Sequence, residues 1–355
     1  MPFLFVVCQA GAEKALKSEL SRVHPELKFA YSRPGFVTFK LPDGARPHEM
    51  ELDSVFARAF GESLKTLKSD LAAGVLAEAH RLAAGKPLRL HVFERDRHNP
   101  GEEPLGFVPG ALADQALAEI RAATASGVFL DDPVARTTGE LVLDVIVVEE
   151  GEWWVGWHQH SPRHHAYPGG NPRLTLPEEA PSRAYLKLRE ALIWSRAPFR
   201  AGDLAVEIGS APGGASYALL EQGFKVIGID PAIVQPVVSM APNYQHLSKS
   251  VMFVSADELP EEVDWLLLDM NAEPNVSMYG AERIADMCPQ LLGAILTLKL
   301  NEWELADQIP EYLERLRVNL GLARVRAVQL AHNRREICVY GLTRKGMARA
   351  LLEFL

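Results

Sequence analysis

Residues 207–220 read EIGSAPGGASYALL. The apolar run that leads in, DLAVEIG (203–209), is β-rich and ends in glycine. A Gly/Pro-rich turn follows, and SYALLEQG (216–223) has helical spacing with a terminal glycine. Strand, glycine turn and helix in this order place free backbone N–H groups at a helix start, where they can meet a carboxylate or phosphate. Gly209, Gly213 and Gly214 let a ligand approach the backbone closely. The spacing is neither the dinucleotide GxGxxG nor the phosphate-cradling GxxxxGK[ST].

Outward from this turn the pattern repeats. KVIGID (225–230), VMFVSAD (251–257) and VDWLLLDM (263–270) read as further strands. AERIADMCPQLLG (281–293) reads as a helix, AILTLKLN (294–301) as a strand and WELADQIPEYLERLRVNLG (303–321) as a helix. RVRAVQLA (324–331) and EICVYGL (336–342), separated by HNRR, read as a hairpin. Strands alternating with helices imply an α/β, Rossmann-like, doubly wound parallel sheet, with the closing hairpin adding an antiparallel edge strand.

The first half is less regular. FLFVV, a helix at 12–22 and GFVTFKL form a small α/β unit, and a helical stretch near 65–84 precedes LRLHVFER (88–95). ADQALAEIRAATAS (113–126) is helical, and ELVLDVIVVEE and EWWVGWHQH are strands joined by a turn. This mixture predicts an α+β region. SPRHHAYPGGNPRLTLPEEAP (161–181) reads as a basic Pro/Gly-rich linker. Alternation in EWWVGWH favours core packing for Trp153, Trp154 and Trp157 over base stacking. His158, His160, His164 and His165 lack the cysteines or carboxylate pattern of a metal site, so no metal is expected.

Composition narrows the function classes. The formal net charge of −9 disfavours unspecific nucleic-acid binding. Yet residues 163–200 and 314–336 each carry +4, so the remainder carries −17. Two basic segments on an acidic chain can form a local phosphate-binding face. Cys8, Cys288 and Cys338 are far apart, which argues against a disulfide framework. The N-terminal stretch lacks a basic leader, and no run is long enough to span a membrane, so a soluble cytoplasmic protein is expected.

Acidic residues end successive strands. Glu207 stands before the glycine turn, Asp230 where a ribose diol would lie, and Asp257 where an adenine amino group can donate. That succession suits S-adenosylmethionine. Four more residues stand in order: Lys187 in the helix before the first strand, Asp269 ending the fourth strand, Lys299 ending the fifth and Glu336 starting the last. In a doubly wound sheet such strand ends lie beside the ligand crevice. An ammonium group inside AILTLKLN demands a partner or a task.

These residues resemble the FtsJ-like ribose 2′-O-methyltransferases, and within them the branch acting on a cytidine of 23S ribosomal RNA. The likeness runs through LFVVCQAGAEKALKSEL, SVFARAF, LRLHV and NPRLTLPEEAPSRAYLKL. It implies a Lys-Asp-Lys-Glu tetrad of Lys187, Asp269, Lys299 and Glu336. It also implies a cofactor loop of Ser210, Ala211, Pro212, Gly213 and Gly214, with Ala184 and Asp269 nearby. The implied organisation is a ferredoxin-like unit at 1–60, a THUMP-type RNA-binding domain at 61–162, the linker at 163–181 and the methyltransferase domain at 182–355. The chain departs from the family at Ala215, where tryptophan is common, at Ala184 in Ser182-Arg183-Ala184, and in PAIV after Asp230.

The chemistry needs a 2′-hydroxyl held in line with a methyl sulfonium while its proton leaves. Lys299 is the expected base: burial and the positive charges of Lys187 and the sulfonium favour its free amine, while Asp269 favours the ammonium. Asp269 orients it, and Lys187 and Glu336 position the hydroxyl. Arg163, Arg173, Arg183, Arg334 and Arg335 are the expected phosphate contacts. The expected partner is unassembled 23S rRNA, and the expected state is a monomer, since no exposed apolar stripe stands out. A tRNA 2′-O-methyltransferase, a small-molecule O-methyltransferase and a silent RNA-binding protein remain open as alternatives.

Overall fold

Short apolar runs in the N-terminal half pair into one continuous sheet. The computed structural model describes residues 1–352 and divides into two units, Met1–Pro172 and the chain from Arg173 onward. The first unit contains β1 (Phe3–Val7), α1 (Glu13–Val23), β2 (Lys28–Arg33), β3 (Phe36–Lys40) and β4 (Ala59–Leu67). It continues with α2 (Leu71–Ala83), β5 (Arg89–Glu94), α3 (Ala111–Ala123), β6 (Leu141–Glu149) and β7 (Glu152–Gln159). The seven strands run β2-β3-β1-β4-β7-β6-β5, and only the β5–β6 pair is parallel.

Alternation along β7 sorts its tryptophans by face. Trp153, Val155 and Trp157 pack with α2 and α3 residues such as Val75 and Ile120. Trp154 faces the other way, against Phe5 and Phe36, and donates to Ser63 Oγ at 2.7 Å. All three are occupied by packing.

Two strands here escape the sequence reading. β2 is largely exposed, and β4 carries Glu62, Ser63, Lys65 and Thr66, so neither shows apolar alternation. The helix expected from about residue 65 begins only at Leu71, because β4 pairs on both sides, with β1 and β7. The expected boundary at residue 60 falls inside that strand. The segment expected as a linker is divided between the units. Its Gly169 and Gly170 are packed: a Cβ on Gly169 would lie 2.7 Å from the Phe93 ring, and one on Gly170 2.8 Å from the Arg58 carbonyl.

The second unit holds α4 (Ala184–Ser195), β8 (Leu204–Ile208), α5 (Gly214–Glu221), β9 (Lys225–Ile229), α6 (Pro236–Ser239) and β10 (Tyr244–Leu247). It closes with β11 (Trp265–Leu268), α7 (Pro274–Met287), β12 (Gly293–Lys299), α8 (Ile309–Asn319), β13 (Leu322–Val328), β14 (Glu336–Thr343) and α9 (Arg344–Leu352). The strand order is β10-β9-β8-β11-β12-β14-β13. The first five are parallel, and β14 is antiparallel to both neighbours. The order reverses at β8, between β9 and β11, which opens a crevice at the C-terminal strand ends. Leu188 and Ala191 of α4 and Ala218 and Leu219 of α5 pack with sheet residues including Trp265 and Ile295.

Four expectations change here. The third strand is β10, not 251–257. That later segment forms two single turns of 3₁₀ helix, Val251–Phe253 and Ala256–Glu258, because Ser250 and a Ser255–Glu258 capping box bend the chain. The antiparallel strand is interior, and the sheet edge is β13. The helix expected at 281–293 starts at Pro274, where proline suits a first turn, and the one expected at 303–321 is 3₁₀ up to Gln308. Large apolar side chains are also well exposed, with Ile233 at 87%, Met240 at 81% and Phe253 at 77%. The absence of apolar exposure therefore cannot argue for a monomer. No described helix is long and apolar enough to cross a membrane, and the three cysteines are buried and free.

Candidate active site

Strand register builds the centre of the site. Lys299 ends β12, and its cross-strand partner is Glu336, the first residue of β14. Asp269 follows β11 directly, and Lys187 reaches in from α4. Lys187 Nζ lies 2.5 Å from Asp269 Oδ2 and 3.2 Å from Glu336 Oε1. Lys299 Nζ lies 3.2 Å from Asp269 Oδ1 and bonds Glu336 Oε2. The four side chains form a closed ring of alternating charge. Glu336 is only 6% exposed, and the other three are 16–17% exposed. Each ammonium touches both carboxylates, so the ring is neutral as a whole and no buried charge is left alone.

That geometry corrects the expected state of Lys299. Burial lowers its pKa, but the charges of Asp269 and Glu336 and their hydrogen bonds outweigh burial, and the net shift is upward. The sequence reading set Asp269 alone against burial, Lys187 and the sulfonium, and missed the direct Glu336 contact. Glu336 responds in kind. Burial pushes it up, but the two lysines hold it below the ordinary glutamate range.

The glycine turn lies beside this ring. Gly209 adopts φ 82°, and a Cβ there would stand 2.6 Å from the Asp269 carbonyl. A Cβ on Gly214 would strike Ser182 at the entrance to α4. The Ala211–Pro212 peptide is cis. Asp230, after β9, accepts from Ala211 N at 3.1 Å and Ala232 N at 2.8 Å, which leaves each carboxylate oxygen a second lone pair. Ser210 is buried, and its Oγ accepts from the Tyr244 hydroxyl at 3.3 Å. Asp257 is exposed on the second 3₁₀ turn and ends no strand. A narrow cavity of about 20 Å³ lies between α4 and the sheet, lined by Ala184, Lys187, Glu207, Ala215, Asp269 and Asn333. It is large enough for a water.

The residues present fit S-adenosylmethionine. The cradle lacks the Cβ atoms that would fill it, the α5 N-terminus offers free N–H groups, and Asp230 supplies acceptors for hydroxyls.

Glu207 is fully buried and accepts from Ser216 Oγ of α5. Burial raises its pKa to about 8, opposed by the Ser216 bond and helped by the charges of Asp269 and Asp230. It is therefore a neutral acid in the folded protein at pH 7. From about pH 4.5 to 8 the unfolded chain ionises this group while the folded chain keeps its proton, so stability falls as pH rises. The fall should be on the order of a few kcal/mol, or on the order of 10 °C in Tm, and Glu207→Gln should lack it. Thermal unfolding of both proteins at pH 5 and pH 8 checks this.

Two residues that the sequence reading missed support the ring. Glu190 lies one turn beyond Lys187 on α4 and is 2% exposed. It accepts from the backbone N–H groups of Ala331 and His332. Asn333 is buried in the same turn and caps Leu330 N at 2.9 Å. The helical spacing of Lys187 and Glu190 was the available signal.

The arginines expected to meet RNA fall differently. Arg183, Arg334 and Arg335 of the second unit are exposed, as is Arg173. Arg163, in the first unit, pairs with Asp53 at 2.6 Å. In that unit His158, His160 and His164 bring ring nitrogens within 4.8 Å of one another. His158 and His164 are stacked, 4.3 Å apart and 13° from parallel. Imidazole lone pairs lie in the ring plane, so these two do not converge on one point. His158 Nδ1 instead bonds Asp144 at 2.6 Å.

The chain is similar to known proteins along most of its length. The model of the FtsJ-like methyltransferase family matches residues 180–309. Ribosomal RNA large subunit methyltransferase M of Halorhodospira halophila is 31% identical over 94% of this chain and 94% of its own length. The protein of that name from Laribacter hongkongensis is 31% identical over 68% of this chain and 67% of its own. That from Xylella fastidiosa is 36% identical over 48% of this chain and 50% of its own. At its 31% identity to the Halorhodospira halophila protein over almost the whole of both chains, the protein belongs to the ribosomal RNA large subunit methyltransferase M family of FtsJ-like methyltransferases.

Proposed function

We propose that this protein methylates a ribose 2′-hydroxyl of 23S rRNA, at a cytidine, before the large subunit assembles in the cytoplasm. The observation that carries this reading is the closed Lys187–Asp269–Lys299–Glu336 ring at the strand ends beside the glycine cradle. S-adenosylmethionine, when bound, supplies the methyl group as a cationic sulfonium. Gly209, Gly213 and Gly214 admit it to the backbone, and Asp230 accepts from its ribose.

Lys299 takes the 2′-hydroxyl proton in the fraction of molecules where its amine is free. Asp269 and Glu336 orient that amine and receive the resulting ammonium without reorganisation. Lys187 holds the two carboxylates in place. Neither a phenol nor a small acid needs two lysines held this way, which speaks against a small-molecule substrate. Arg183, Arg334 and Arg335 position RNA phosphates, with Arg173 as a further contact on the same unit and Arg163 as a separate one on the first unit. The N-terminal sheet is read as the ferredoxin-like and THUMP-type RNA-binding region. All four ring members come from one chain, so the site needs no partner subunit.

The test offers labelled S-adenosylmethionine with deproteinised 23S rRNA, intact large subunits and bulk tRNA. The expected result is label on naked 23S rRNA in an alkali-resistant linkage. Label on tRNA alone would overturn the substrate, and label on none of them the reaction.

A further inference from the structure

The proton-transfer ring does not use Glu190, yet this carboxylate is almost completely buried. Its partners all lie in the turn between β13 and β14. Oε1 accepts from Ala331 N at 2.8 Å, while Oε2 accepts from His332 N at 2.8 Å and bonds His332 Nδ1 at 2.7 Å. The same turn is closed from within, by Leu330 N on Asn333 Oδ1 at 2.9 Å and by Gln329 Nε2 on the Arg334 carbonyl at 2.9 Å. Its far end is tied to the residue that follows β12, where Leu300 N donates to the Arg335 carbonyl at 2.7 Å. Glu336 is the next residue.

Lys187 and Glu190 therefore share one helix, and the residues that Glu190 grips share one turn with Glu336. We propose that Glu190 is a positioning residue for methyl transfer, a clamp that holds the β13–β14 turn against α4 and so fixes the Lys187–Glu336 contact.

The clamp requires a carboxylate. Two backbone N–H groups bond two different oxygens. An amide has one acceptor oxygen, so glutamine would turn its NH₂ toward one of these donors and leave it buried without an acceptor. Aspartate is one methylene short. A ring displaced by about 1 Å loses on the order of 100-fold in rate, while the cofactor cradle on the β8 and β9 side is untouched.

This inference rests on the reaction proposed above, and its test separates the two. Full-length wild type, E190Q, H332A, E336Q and the E190Q/E336Q double variant are compared below their unfolding temperatures. The readouts are single-turnover methylation of naked 23S rRNA, S-adenosylmethionine Kd, and amide hydrogen exchange across 329–336. E190Q should lose about 10- to 100-fold in single-turnover rate, keep the cofactor Kd within about twofold, and exchange faster across the turn. H332A, which keeps both backbone bonds, should lose less. In the E336Q background, E190Q should cost less than about threefold more, because both changes act through one contact.

A wild-type rate in E190Q would overturn the proposal. So would a rate loss matched by lost cofactor binding, or independent losses in the double variant. If wild type labels no RNA the reaction reading fails, and exchange then decides the clamp alone: an unchanged turn in E190Q overturns it.

Discussion

Lys299→Arg is expected to keep its ion pairs and lose nearly all methyl transfer. Arginine retains a positive charge between Asp269 and Glu336, so the ring stays neutral and the fold is preserved. It cannot give up its proton in a protein, so it is no base. Loss of a positioned general base costs about 10²–10⁴-fold, and the expected single-turnover rate is below wild type by a factor in that range. Lys299→Met should lose as much activity, and stability as well, because it leaves one lysine facing two buried carboxylates. The measurement is methylation of 23S rRNA alongside S-adenosylmethionine binding for each variant. If Lys299→Arg bound cofactor and RNA yet worked at near-wild-type speed, Lys299 would be an electrostatic anchor and not the base.

The second large effect is on pH. Asp269 and Glu336 hold the Lys299 pKa above its ordinary value of 10.5 against the pull of burial. The free amine is then a small fraction at neutral pH and grows tenfold with each unit until the pKa is reached. The single-turnover rate should therefore rise about tenfold per pH unit from about 6.5 to 9, a few hundred-fold in all, with no plateau in that window. A flat profile would mean that proton loss from the hydroxyl does not limit the step. A plateau near pH 7 to 8 would mean that the working enzyme holds Lys299 far below the value set by its two carboxylates. The pair should titrate together, so Glu336→Gln is expected to shift the profile toward lower pH.

Much of the second unit was legible because its periodicity is strong. Buried parallel strands are near-continuous apolar runs, and 203–209, 225–230, 263–270 and 294–301 all correspond to strands of the sheet. The error at 251–257 has a local cause. VMFVSAD has strand composition, but Ser250 and Ser255 cap two tight turns, and Tyr244–Leu247 takes the place beside β9. In the first unit, β2 and β4 were invisible because edge exposure and polar side chains removed the alternation on which such readings depend.

The candidate site divides the same way. Residue types and their order along the chain singled out Lys187, Asp269, Lys299 and Glu336, together with the glycine turn and Asp230, as candidates, since all but Lys187, which lies in α4, stand at or beside a strand end. The distances between them were not in the sequence. The β12–β14 register puts Glu336 opposite Lys299, and this contact reverses the expected direction of the lysine's pKa. Electrostatic energy depends on separation and on burial, neither of which a linear order contains. Glu190 and the turn it grips lie 141 residues apart at the nearer contact, a pairing that no local pattern announces. By itself the sequence determined the class of fold, the residue types of the site and the chemistry they suit. Only the tertiary structure decided the protonation balance of the ring and the clamp that shapes it, because both depend on which charged groups meet out of water.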